Sequence, residues 1–358
     1  MNTDTKIKMI KAFSNAFGPS GKEDDVVSLA RSYVEDDYDV KEDHLRNLYI
    51  TSKNNSNNKP LFLLDAHSDE VGLIVQAILD NGTLAFLPLG GWVAASLPTS
   101  KVRILNKEGK FISGIVASKP PHFMSASDKN NVLQISDMVI DIGATNKKEV
   151  EEIFKIGIGS FACPDVDCTY DEDKDLFLGK AFDCRIGCAA VLATLDALKK
   201  EDLEVDVIAT LSSQEEVGER GMELVCKSIA PDIAIVFEGC PADDTFQPSY
   251  MIQSALKKGP MLRHFDRSMI TNPRYQKFAL DLANDKGIPV QESVRRGGGP
   301  KRAMLHVSNN GTPSIVIGNP VRYIHSHHGF CSYEDFDNAV KLAVEIVKTM
   351  NQNVLDTF

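Results

Sequence analysis

The chain has 358 residues, 43% of them hydrophobic and 25% charged, the makeup of a folded globular protein of about two domains. That composition excludes a disordered or collagen-like chain. Asp and Glu number 50 against 39 Lys and Arg, for a formal net charge of -11, which argues against a dedicated nucleic-acid binder, since phosphates need a positive field.

The N-terminal periodicity of Ile7, Met9, Ile10, Phe13 and Phe17 predicts a helix over residues 4–17, broken by Gly18-Pro19-Ser20-Gly21. A second helix is expected over 23–34. LFLLDAH, residues 61–67, is a short apolar run of the kind that forms a buried parallel strand. From 71 to 160 the helical periods largely vanish. Short β-rich runs (VGLIVQAI, TLAFLPL, KVRIL, FISGIVAS, MVIDIGA) follow one another between Gly and Pro, which suggests a small barrel or sandwich with one helix near 147–154. Helix-strand alternation resumes after Gly179: helices at 185–199, 219–228 and 273–286, and strands VDVIATLSS, DIAIVFEG and PSIVIG. A last helix starts at Ser332, with Asp335 in the capping-box position. The fold expected is therefore α/β, with a mixed sheet flanked by helices. Residues 1–70 and 161–358 form the α/β domain, and 71–160 an inserted β-rich, barrel-like domain.

The opening MNTDTKIKMIKAF lacks the apolar run of a signal peptide, and no stretch of about 18 residues is apolar enough to span a bilayer. Seven scattered cysteines without a CxxC pair predict free thiols in a reducing cytoplasm.

Polar residues capable of chemistry cluster at the expected strand ends. His67 closes LFLLDAH, with Asp69 two residues on. Asp183 stands just before a helix. Glu215 and Glu216 follow VDVIATLSS directly; their side chains diverge, so one can bind metal while the other handles protons. Glu238 closes DIAIVFEG. His325, in the run His325-Ser326-His327-His328, follows PSIVIG. Singly, each has an ordinary explanation: a helix N-cap for Asp183, a solvated helix start for the Glu pair, a sheet exit for Glu238, an exposed loop for the histidines. Together they make a nitrogen and oxygen ligand set suited to zinc, cobalt or manganese. Two ions about 3.5–4 Å apart need a bridging carboxylate, and Asp183 is the natural bridge.

The segments AHSDEVGLIV, LGGW, VASKPPH, IDIGA, GKAFDCRIG, SSQEEVGERG and RYIHS span nearly the whole chain. In that order they resemble the tetrahedral or glutamyl aminopeptidase family of co-catalytic metallopeptidases. The resemblance implies an aminopeptidase that hydrolyses N-terminal residues from peptides. It implies two divalent metal ions per chain, bridged by Asp183, with His67, Glu216, Glu238 and His325 completing the ligand set. Glu215 would be the general base and Asp69 would orient His67. It also implies that the β-rich insert is a dimerisation domain, and that dimers build a homo-oligomer, a tetrahedral dodecamer. Members usually carry Asp where this chain has Glu238, and Asn where it has Cys184. The family's Gly-Gly-Thr-Asp-Ala segment reads Gly298-Gly299-Pro300-Lys301-Arg302 here, which exchanges an acidic residue for cations. A related two-metal deacylase shares such a site, and a catalytically silent assembly protein shares such a fold.

Overall fold

The computed structural model describes residues 1–34, 36–125, 132–297 and 304–358. The apolar run at 61–67 is the strand Leu61–His67, which lies near the middle of an eight-stranded mixed sheet. Phe62, Leu64 and Ala66 enter a large core shared with the helix Phe182–Leu198. Leu63, pointing the other way, packs with Met222 and Val225 of the helix Arg220–Ser228. Helices on both faces explain why the strand reads as continuously apolar. Asp65 is the exception, and the hydroxyls of Thr210 and Ser212 on the next strand donate to it at 2.5 and 3.1 Å.

Across the sheet the strands run Tyr38–Glu42, Leu48–Ser52, Asp206–Ser212, Leu61–His67, Ile233–Pro241, Ser314–Val321, Met261–Phe265 and Gln291–Val294. The block from Asp206–Ser212 to Ser314–Val321 is parallel, with His67 beside Ser212 and Glu238 beside Gly318 in register. Its carboxyl ends therefore open on one edge, where open α/β sheets hold their ligands.

The texture change after Val71 is a closed six-stranded barrel with its own core of Leu73, Val75, Leu84, Ile104, Val116 and Ile140. Its closing strand, Phe161–Pro164, lies beyond the boundary expected at 160 and pairs with Gly72–Ile78 and Lys101–Leu105. Barrel closure is a long-range pairing, which local texture does not mark.

Ser332 caps the last helix, Tyr333–Thr349, as expected. Asp335 does not complete a capping box. Its carboxylate instead accepts from the backbone N–H groups of Lys257 and Gly259, at 2.7 and 2.8 Å.

Behind the strand ends lies a buried ionic cluster. Lys180 Nζ donates to both oxygens of Glu70, at 2.5 and 2.6 Å, and Arg185 Nη2 approaches the same carboxylate at 3.2 Å. All three side chains are at most 1% exposed. Replacing Glu70 by Gln leaves two buried cations without their counter-charge. The expected loss is about 3–5 kcal/mol, read as a lowered denaturant midpoint with an unchanged slope. An unchanged midpoint would remove this cluster as a structural anchor.

Candidate metal centre

The parallel strands and the segments that follow them carry polar side chains to one edge of the sheet, although Glu238 stands within Ile233–Pro241, three residues before its end. His67, 2% exposed, ends its strand with Nε2 at 3.1 Å from Asp183 Oδ1 and 3.9 Å from Glu215 Oε2. Asp183 belongs to the first turn of Phe182–Leu198, but its φ and ψ of -85° and 106° are not helical. Its carboxylate does not cap the helix as local reasoning suggested; it reaches forward between two imidazoles. Its second oxygen lies 3.1 Å from His325 Nε2, which is also 3.3 Å from Glu216 Oε1. Close approach makes this possible: a Cβ on Gly239 would sit 2.7 Å from the Asp183 Cα.

The outer nitrogens of both rings are also held. His325 Nδ1 lies 3.0 Å from the carbonyl oxygen of Gly91, in the segment after the strand Leu84–Leu89 of the barrel. That oxygen can only accept, so Nδ1 carries a proton and donates to it, which leaves Nε2 as the ring atom facing the carboxylates. His67 Nδ1 faces Asp69 Oδ1 at 3.3 Å. Asp69 itself is fully buried and accepts from the Ser20 hydroxyl at 2.6 Å and from the N–H groups of Glu215 and Glu216 at 2.8 and 3.1 Å.

Burial works against charge throughout this site, and the partners decide the outcome. At Asp183, the hydrogen bonds to His325 and His67 overcome burial and hold the carboxyl far below its usual range. At Glu216, burial prevails over the pull of His325 and raises the carboxyl. The contrast follows from counting partners: Asp183 faces two imidazoles and Glu216 one. Burial disfavours the imidazolium forms, yet Glu215, Asp183 and Asp69 raise His67, and Asp183 and Glu216 raise His325.

Two groups of possible ligand atoms share Asp183. One comprises His67, Asp183, Cys184 and Glu238; the other, Asp183, Glu216 and His325. Within each, the atoms lie within 4.8 Å of one another. Imidazole and carboxylate donors at this density suit divalent cations, which supply the positive charge that adjacent carboxylates require. All seven residues singled out from the sequence meet here. Of the histidine run, only His325 does: His327 Nε2 lies 2.6 Å from the Lys101 carbonyl oxygen and Nδ1 2.8 Å from the His328 ring. The segment 298–302 lies outside the described residues.

Other contributors escaped the sequence reading. Ser20 lies in the turn that read only as a helix breaker, and Glu23 just after it. Glu23 is buried, and its Oε1 accepts from the N–H groups of Gly21 and Gln214 at 2.8 and 3.2 Å. A cavity of about 60 Å³ opens beside Glu215 and Glu238, lined also by Asp65, Arg263, Asp266 and Met269. These residues come from separate segments with no shared motif.

A mixed sheet whose parallel strand ends converge two imidazoles on one carboxylate is the architecture of a metal-dependent hydrolase. The chain belongs to the M42 glutamyl aminopeptidase family, whose model matches residues 47–342, and it is an aminopeptidase. It is similar to the glutamyl aminopeptidase of Lactococcus lactis, 31% identical over 344 residues that cover 96% of each chain. Its fold matches the TET aminopeptidase of a marine sediment archaeon of the Thaumarchaeota at a TM-score of 0.94, with 34% identity and 99% of both chains covered. It also matches the Pyrococcus horikoshii TET1 peptidase, which assembles into a tetrahedron or a large octahedral shell. There the TM-score is 0.85 and the identity 26%, over 96% of this chain and 100% of that one.

Burial and the neighbouring Asp69 charge push the Glu23 carboxyl up from 4.5 to about 7. A raised folded-state value favours the protonated acid, so this group's stabilisation is present below about pH 4.5 and fades as pH rises through 7. Glu23→Gln keeps the accepting oxygen and removes the titration. Relative to the variant, the parent's denaturant midpoint should fall between pH 4.5 and 8. Parallel profiles for the two proteins would contradict the assignment.

Proposed function

We propose that this aminopeptidase works with two divalent ions per chain, one held by His67, Asp183 and Glu238 and the other by Asp183, Glu216 and His325. The observation that carries the reading is Asp183, whose two oxygens each face a different imidazole at 3.1 Å. Zinc or cobalt suits this donor set, and manganese suits its carboxylates. When bound, such ions polarise the scissile carbonyl and acidify the attacking water.

Glu215 takes the water's proton and passes it to the leaving amine. Its Oε2 lies 3.9 Å from His67 Nε2, and its backbone is held by Asp69. Asp69 also orients the His67 ring. Neighbouring carboxylates thus take different work: Glu216 turns toward His325 as a ligand, and Glu215 handles protons.

The chain acts as a homo-oligomer in the cytoplasm, with dimers joined through the barrel and built into a tetrahedral dodecamer. The assembly of the Pyrococcus horikoshii relative supports this. Free cysteines and the lack, among the described residues, of a helix able to cross a membrane accord with that location. Light scattering of the purified protein tests the assembly, and a monomeric mass would refute it.

Hydrolysis of aminoacyl amides, with no hydrolysis of their N-acetyl forms, is the expected signature; the reverse preference would indicate a deacylase. Asp183→Asn should lower the occupancy of both ions in elemental analysis, and Glu216→Gln chiefly one. Glu215→Gln should keep the metals while turnover falls by about 10²–10⁴-fold. Loss of metal from Glu215→Gln with retention in Glu216→Gln would reverse their roles.

A further inference from the structure

The two donor groups sharing Asp183 differ in chemistry. Asp183, Glu216 and His325 offer only oxygen and nitrogen. The other group adds the sulfur of Cys184 to His67, Asp183 and Glu238, with one possible ligand atom from each inside a common 4.8 Å. No other cysteine belongs to a donor group among the described residues.

Cys184 is fully buried, and the fold makes room for its sulfur where the donors meet. Its backbone, like that of Asp183, is not helical, with φ and ψ of -115° and 35°. Cys184 Sγ lies 3.1 Å from the carbonyl oxygen of Phe237, the residue before Glu238. On the opposite side stands Gly187. A Cβ there would come within 2.4 Å of Cys184 Sγ, 3.1 Å of the Ala66 Cβ and 3.2 Å of the Phe237 Cβ. The sulfur thus occupies a cradle that only glycine leaves open, between the strands that carry His67 and Glu238.

We propose that Cys184 is a metal ligand, which makes the His67 position a mixed nitrogen, oxygen and sulfur site selective for thiophilic divalent cations. The inference rests on the two-ion reading above and deepens it. Ligation replaces the S–H bond by a sulfur–metal bond, and the proton passes to solvent; no oxidant or reductant is involved. Sulfur ligands favour zinc or cobalt over manganese or magnesium. The two positions are therefore unequal: the His67 position holds zinc or cobalt, and the His325 position, with oxygen and nitrogen alone, accepts harder ions.

The test is spectroscopic and independent of turnover. The full-length protein is stripped of metal and reloaded with cobalt(II), with bound cobalt counted by elemental analysis. The parent should show a near-ultraviolet thiolate-to-cobalt charge-transfer band. Cys184→Asn and Cys184→Ala should lose the band while still binding cobalt, and their preference for zinc over manganese should fall by at least about tenfold, one unit of log affinity. A parent that binds two cobalt ions without the band overturns the ligand assignment and leaves the two-ion reading standing. A band that persists in both variants also overturns it. A parent that binds no cobalt sinks both readings. The parent's spectrum decides even if neither variant folds.

Discussion

Glu70 is a carboxylate buried from solvent, and much of the molecule is arranged to satisfy it. It accepts from Lys180 Nζ, from Arg185 Nη2 and from the Gly18 N–H. Arg185 then spends its remaining donors on the carbonyl oxygens of Phe13, Ala16, Gly18 and Ser68. Those carbonyls belong to the end of the N-terminal helix, the turn after it, and the segment that follows His67. A rigid guanidinium fork in a dry interior permits little freedom in where these segments sit. An apolar cluster could fill the same volume, but it would not set their directions. Glu70 and Asp69 are adjacent, and Arg185 is two residues from Asp183. The buried charges therefore set the frame in which the carboxylates of the candidate site are aimed.

The centre itself is a junction between the two parts of the fold. Gly91 lends its carbonyl oxygen to His325, and a Cβ on Gly90 would sit 3.2 Å from Glu216. Gly90 also has a φ of 88°. The Gly-Gly pair after the strand Leu84–Leu89 is thus needed twice, for backbone conformation and for close approach. The inserted barrel is part of the site's wall as well as a separate core. On the sheet side, the Asp69 carboxylate joins Ser20, His67 and the Glu215-Glu216 backbone, so three distant stretches of chain share one acceptor.

Electrostatics gives these contacts their functional sense. Asp183, Glu215, Glu216 and Glu238 stand close together around a pair of imidazoles. Such a set is costly in a low-dielectric interior without cations. The same concentration of negative charge suits divalent ions, so what weakens the fold locally is what a metal-dependent hydrolase can use.

The sequence by itself determined a good deal. Buried parallel strands must be apolar on both faces, so LFLLDAH and DIAIVFEG were legible as strands, with His67 at the end of the first; the second runs on past Glu238 to Pro241. Loss of helical period marked the barrel. Local reasoning failed where a side chain's partner lies far along the chain. Taken singly, Asp183 had an ordinary reading as a helix cap, and only in combination with the other polar residues did it read as a bridge; its partners are 116 and 142 residues away. Asp335 read as part of a capping box, yet it holds a loop 78 residues distant. The barrel's end at Pro164, the roles of Ser20 and Glu23, and the sulfur cradle at Gly187 likewise came only with the tertiary structure. Periodicity and turn chemistry depend on neighbours a few residues apart, and a sequence displays them. The meeting of donor atoms at 3.1 Å depends on strand order, register and buried charge, which are settled only when the whole chain packs.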